Sequence, residues 1–188
     1  MGLKVNRLPF VFLLGNHSSG KSSFINHVLK RNVQIAGVAP TDDSFTIIAP
    51  GDEDCDQDGP ALIGDPDMGF SGLRSYGPTL INHVQLKVRS GLASNDFMMI
   101  DSPGMCLARP PLLSIAHVCP LQIGMIDSPA MSADQSNALY GGHMDRGYNF
   151  KQVVRWFVEH ADVVLLFFDP DKPGTTGETL SVLTSSLR

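Results

Sequence analysis

Cysteine is scarce. Cys55, Cys106 and Cys119 are the only three in 188 residues, an odd number without the close paired spacing of a zinc site or a disulfide framework. That excludes a small domain stapled by bridges and points to a reducing, intracellular setting. Long apolar runs are also lacking. Leu8–Leu14 and Val163–Phe168 are the longest, and both fall far short of the roughly 20 residues a membrane-spanning helix needs. Basic charge is in deficit: 14 Lys+Arg face 19 Asp+Glu, a net charge of −5. With a pI near 5.6, that balance argues against a nucleic-acid partner, because neutralising many phosphates requires a basic surface. A cleavable signal peptide is not expected. Met1-Gly2-Leu3-Lys4-Val5-Asn6 has Asn6 where a myristoylation site needs Ser or Thr, so lipid anchoring is not expected. What is present, 43% hydrophobic and 18% charged residues, suffices for one globular domain with a core.

The periodicity predicts an α/β order. Phe10-Val11-Phe12-Leu13-Leu14 is a continuous apolar run ending at Gly15, which suits a strand buried on both faces. A loop of small residues leads into Ser22–Lys30, where Phe24, Ile25, Val28 and Leu29 recur at helical spacing. From Ala49 to Gly69 the chain is rich in Asp, Gly and Pro without an apolar period, and a solvated loop is expected there. The acidic cluster Gly51–Asp56 lacks the glycine and distal Glu of an EF-hand. Leu80–Val88 fits helix or strand. Phe97–Ile100, stopped by Asp101, and Val163–Phe168, stopped by Asp169, predict strands whose carboxyl ends present an Asp. That is where open α/β sheets bind ligands. Val153, Val154 and Phe157 share a helical face in Gln152–His160. That element order predicts a three-layer α/β domain with a mostly parallel sheet.

Gly15-Asn16-His17-Ser18-Ser19-Gly20-Lys21-Ser22 matches G-x-x-x-x-G-K-[ST] in full and sits between a predicted strand and a predicted helix, as that motif demands. Backbone N–H groups of the loop and helix start, through Ser23, would surround the phosphates of a nucleoside triphosphate. Lys21 would meet the β- and γ-phosphates and Ser22 a Mg²⁺ ion. Asp101-Ser102-Pro103-Gly104 has the D-x-P-G form that supplies a second acidic group beside the metal and a glycine N–H near the γ-phosphate. Pro40-Thr41-Asp42-Asp43-Ser44-Phe45 lies where a first switch loop would, and Thr41 there would complete the metal shell.

These segments, together with Arg146-Gly147-Tyr148-Asn149-Phe150 through Trp156-Phe157 to Leu165–Lys172, carry a resemblance. The sequence resembles the EH-domain-containing ATPases, a branch of the dynamin superfamily, and more loosely their sarcalumenin-like relatives. The likeness covers most of the chain outside residues 49–69 and 105–145. It implies a P-loop NTPase fold of GTPase type, a partial dynamin-type G domain over residues 1–188 that binds GTP or ATP with Mg²⁺, with slow hydrolysis, self-assembly and membrane remodelling. It also implies a cytoplasmic protein peripheral to endosomal or plasma membranes, reached through regions outside this chain. The metal residues carried over are Ser22, Thr41 and Asp101. His17, where dynamins carry a Gln near the attacking water, and Thr41 are the candidate catalytic residues.

The chain departs from the family pattern in places. Asp42 stands where the branch usually has a second Thr, setting a carboxylate near the phosphates. No Asn-Lys-x-Asp, the family's base-reading motif, occurs anywhere, and the G domain is expected to be C-terminally incomplete: a fragment, a truncated gene model or a degenerate product. Met99–Met105 is echoed at Met125–Met131, and residues 106–124 read as an insertion or mis-spliced segment. Three functions compete: an Mg²⁺-dependent nucleoside triphosphatase, a nucleotide-binding module without turnover, and another P-loop enzyme such as a kinase, for which no acceptor site is evident.

Overall fold

The computed structural model describes residues 8–35, 43–105, 146–168 and 184. In chain order the elements are β1 (Phe10–Gly15), α1 (Lys21–Leu29), β2 (Phe45–Pro50), β3 (Cys55–Asp58), α2 (Gly59–Gly64), two 3₁₀ turns (Pro66–Met68 and Ser71–Tyr76), α3 (Pro78–Asn82), β4 (Val84–Arg89), β5 (Met98–Asp101), α4 (Phe150–His160) and β6 (Val163–Phe167). The strands form one six-stranded sheet in the order β3-β4-β2-β5-β1-β6. β1 pairs in parallel with β5 and β6, and β2 with β4. β2 runs antiparallel to β5, and β3 antiparallel to β4. The sheet is therefore mixed, with its parallel part around the strand that feeds the glycine loop.

Alternation along the strands divides the core into two layers, as the expected three-layer architecture requires. Phe12, Leu14, Ile47 and Ile100 face a large cluster completed by Leu62, Leu73, Leu80 and the α4 residues Phe150, Val153, Val154 and Phe157. Leu13, Ile48 and Met99 face the other way, onto Ile25 and Leu29 of α1. Phe157 anchors the first layer, stacking on Phe12 with centroids 5.2 Å apart and on Phe45 at 4.9 Å. Burying each such ring contributes about 2–3 kcal/mol. Asn149 begins α4 by accepting a hydrogen bond from the Gln152 N–H through its side chain, a cap that satisfies one of the helix's orphan donors.

The Ala49–Gly69 segment is not the solvated loop expected. β2 runs on to Pro50, Cys55–Asp58 forms the edge strand β3, and Gly59–Gly64 is a helix. Charge obscured both. An edge strand carries acidic residues because they discourage pairing with other chains, and α2 is too short for its buried Leu62 and Ile63 to show a period. The signal that was there is Asp58-Gly59-Pro60, an N-cap whose carboxylate accepts the Ala61 N–H at 3.0 Å, followed by a proline in the first turn. Leu80–Val88 proves to be helix and then strand: α3 ends at Asn82, and β4 alternates buried with half-buried residues from Val84. At the far side of the sheet β6 is outermost among the described residues, with Val163 47% and Leu166 38% exposed.

Candidate functional site

Gly15, Asp101 and Gly104 meet at the carboxyl ends of β1 and β5, where the sheet hands the chain to loops. The parallel register sets Leu13 beside Asp101, and the Ser102 N–H donates to the Leu13 carbonyl at 3.2 Å. Gly15 must be glycine, because a Cβ there would lie 2.5 Å from the Phe167 carbonyl oxygen of β6. The loop then reverses through two left-handed residues, Ser18 at φ 61° and Gly20 at φ 91°. Its turn is tied by Ser19, whose N–H and hydroxyl both donate to the Asn16 carbonyl. Left-handed residues directly before a helix N-terminus turn successive backbone N–H groups into one concavity, the geometry that cradles an anion.

Lys21 opens α1 and folds back over the loop, its Nζ donating to the carbonyls of Gly15 and Asn16 at 3.1 Å each. The side chain is only 7% exposed. Burial lowers its pKa from the ordinary 10.5, and the nearby Asp101 carboxylate opposes the shift. Ser22 points its hydroxyl the other way, donating to Asp101 Oδ2 at 3.3 Å. A hydroxyl and a carboxylate side by side next to a helix N-terminus form a hard-oxygen donor set suited to Mg²⁺. Ser23 is exposed on the outside of the first turn.

The D-x-P-G segment is stitched to the loop backbone. Met105 N–H donates to the Gly15 carbonyl at 3.2 Å, and His17 N–H donates to the Met105 carbonyl at 3.1 Å. Gly104 lies against His17 so closely that a Cβ would sit 2.9 Å from His17 Cα. His17 itself is half-buried, with its Nδ1 2.8 Å from the Ser18 hydroxyl. The residues expected to act together, Gly15 to Ser22 with Asp101 and Gly104, are therefore neighbours. Thr41, Asp42, the second D-S-P copy and the 106–124 segment lie outside the described residues.

Comparison with known proteins identifies the family. The profile of the dynamin family matches residues 11–186. The chain belongs to the dynamin family. EH domain-containing protein 2 of Homo sapiens is 31% identical over 166 residues, which are 87% of this chain and 25% of that protein. EH domain-containing protein 2 of Arabidopsis thaliana is 29% identical over 180 residues, 94% of this chain and 27% of that one. The chain thus spans about a quarter of the length of these curated relatives. A solved oligomerised bacterial dynamin pair is 16% identical with a TM-score of 0.35, covering 54% of this chain and 20% of its own, and at that level it adds nothing to the assignment.

Within this dynamin-family domain, the supports around Asp101 were not legible as a motif. Gln34, 3% exposed, donates through Nε2 to Asp101 Oδ2 at 2.9 Å and accepts through Oε1 from Lys87 Nζ at 2.8 Å. Asn26 of α1 fixes the backbone that carries it, its Oδ1 accepting the N–H groups of Val33 and Gln34 and its Nδ2 donating to the Gln34 carbonyl. A buried amide aimed at a carboxylate has no sequence signature beyond a lone Gln. Arg146 was noticed only as part of the resemblance. In the fold it reaches the Gly104 carbonyl through Nη2 at 3.1 Å.

Proposed function

We propose that the chain is the nucleotide-binding core of a membrane-remodelling dynamin relative, binding GTP or ATP with Mg²⁺ and hydrolysing it slowly. The observation that carries this reading is the placement of Ser22 Oγ 3.3 Å from Asp101 Oδ2, beside Lys21 on the same loop. The residues present fit the ligand: the cation of Lys21 would meet the phosphates, Ser22 and Asp101 would hold the metal, and the N–H groups from Ser18 to Ser22 would line the cradle. Mg²⁺ would neutralise charge developing on the transferred phosphoryl group. Gln34 orients Asp101, and Gly104 packs directly on the His17 backbone. Thr41 and His17 are the proposed catalytic residues, Thr41 completing the metal shell and a neutral His17 imidazole orienting water.

A second reading, nucleotide binding without turnover, is favoured by His17, whose ring Nδ1 is already paired with the hydroxyl of the neighbouring Ser18 at 2.8 Å. Attachment to membranes, self-assembly and a location on endosomal or plasma membranes are proposed on the similarity to EH domain-containing proteins and on family membership. Among the described residues no helix is long and apolar enough to cross a membrane. The deciding experiment titrates ATP and GTP with Mg²⁺ against the chain and its Lys21→Ala variant, then follows single-turnover hydrolysis. Binding abolished by Lys21→Ala with the fold intact supports the site, and equal affinity in the variant refutes it. Binding with no hydrolysis of either nucleotide selects the second reading.

A further inference from the structure

Arg146 is a cation placed where few cations are left. Its side chain is 1% exposed, and it stands just before α4. Burying a guanidinium carries a desolvation cost of several kcal/mol unless its donors are satisfied and its charge is balanced. Among the groups that meet it are three described ones, from three parts of the chain. Nη2 donates to the Gly104 carbonyl at 3.1 Å, Nε lies 3.7 Å from Asp43 Oδ1, and Cζ sits 4.1 Å over the Phe150 ring. Phe150 in turn stacks on Phe45 at 5.9 Å, and Phe45 on Phe157 at 4.9 Å.

These contacts have a direction. Asp43 leads into β2, the strand after the predicted first switch loop. Gly104 belongs to the D-x-P-G segment and rests on the backbone of His17. Phe150 is the first residue of α4. The Gly104 arm is a part-buried hydrogen bond and the Phe150 arm a contact on a buried ring, whereas Asp43 is 53% exposed and its charge lies beyond hydrogen-bond distance. One arm can thus let go while the other two hold. We propose that Arg146 is a positioning residue that couples the Asp43 segment to the Gly104 segment and both to α4, so that a change at the glycine loop is transmitted to the helix. The link to nucleotide rests on the nucleotide-binding reading above; the coupling between the two segments does not.

Hydrogen exchange on the nucleotide-free chain tests the coupling directly, in Asp43→Asn, Arg146→Gln and the double variant. Asp43→Asn alters an exposed carboxylate and should fold normally. It is expected to speed amide exchange at residues 102–105 as well as at 43–46, by about threefold, the scale of an exposed ion-pair coupling. In the Arg146→Gln background the same change should have no further effect at 102–105. A response confined to 43–46, or one of equal size in both backgrounds, overturns the proposal. The chain's only tryptophan, Trp156 on α4, supplies the second readout. Adding Mg²⁺ with ATP or GTP should change its fluorescence in the unaltered chain, and Arg146→Gln and Arg146→Lys should both lose that change while keeping the nucleotide Kd within about threefold. A full response in the Arg146→Gln variant overturns transmission to α4. Absence of nucleotide binding in the unaltered chain counts against the nucleotide reading alone, and the exchange cycle still decides the coupling.

Discussion

Replacing Gln34 by Met keeps the volume and the unbranched shape while removing both polar ends. Two hydrogen bonds to charged groups disappear, to Asp101 at 2.9 Å and from Lys87 at 2.8 Å. Each is of a kind that contributes about 1.5–3 kcal/mol, yet the two losses are unequal. Lys87 is half-buried and can turn its ammonium to water, so its share is small. Asp101 is 4% exposed and retains the Ser22 hydroxyl, so the lost donor costs close to the lower end of that range. The expected destabilisation is about 2 kcal/mol, roughly a thirtyfold change in the unfolding equilibrium. Urea unfolding of the metal-free chain measures it, and the slope should not change. If Asp101 holds Mg²⁺, a carboxylate that has lost its orienting partner should also bind the ion about tenfold more weakly, the usual scale for a group behind a metal ligand. Lys87→Met should cost about 1 kcal/mol or less, because it leaves the contact to Asp101 in place. An unchanged urea midpoint with an unchanged Mg²⁺ dependence of nucleotide binding would refute the reasoning, and so would a larger loss for Lys87→Met than for Gln34→Met.

Asp101→Ala should remove Mg²⁺-dependent nucleotide binding, while Asp127→Ala, in the second D-S-P copy outside the described residues, should leave it intact; the reverse pattern in a Mg²⁺ titration would move the metal site to that copy. Lys21→Met should abolish nucleotide binding yet raise the stability of the nucleotide-free fold at pH 7, since it removes a buried ammonium. The carbonyls left behind keep other donors, Gly15 from the Met105 N–H and Asn16 from both donors of Ser19. Because burial sets the folded pKa of Lys21 below 10.5, the unfolded chain binds more protons just below that pH, so the unaltered chain gains stability as pH rises through the window. The advantage of the variant in urea midpoint should therefore shrink as pH approaches 10.5, and an advantage that grows instead would show that burial is not the dominant influence on this lysine.

The parts of the fold legible in the sequence are those where one physical requirement dominates a contiguous stretch. β1 and β5 are short apolar runs because strands in the middle of a layered domain are covered on both faces, whereas β6 is equally apolar yet lies outermost among the described residues, so its run has no such cover. α4 shows its stripe because only one side meets the sheet. β2, although Thr46-Ile47-Ile48 is β-branched and the strand is buried throughout, is less legible because its apolar run is short and abuts the polar Pro40–Ser44 segment. β3 and α2 were missed for a different reason. Their sequences answer to an exposed edge and a short capped turn, and neither generates a hydrophobic period.

The site divides along the same line. The proposed phosphate cradle uses consecutive backbone N–H groups, so Gly15 to Ser22 appears as an unbroken word, and the register of β1 against β5 brings Asp101 beside it. The groups that hold this word in place obey no such constraint. Gln34 comes from the loop after α1, Lys87 from β4 and Arg146 from the approach to α4. Each is one ordinary polar residue whose meaning depends on what it faces. Their burial makes them consequential, because a charge or amide removed from water is tolerated only where its partners stay put. A surface Gln or Arg can be exchanged with little effect; Gln34 and Arg146 cannot move without leaving Asp101 or the Gly104 carbonyl short of a donor. Sensitivity of the fold's stability to substitution should therefore extend beyond the glycine loop to these two residues, and fall off sharply at exposed positions such as Ser23, next to Ser22 in sequence.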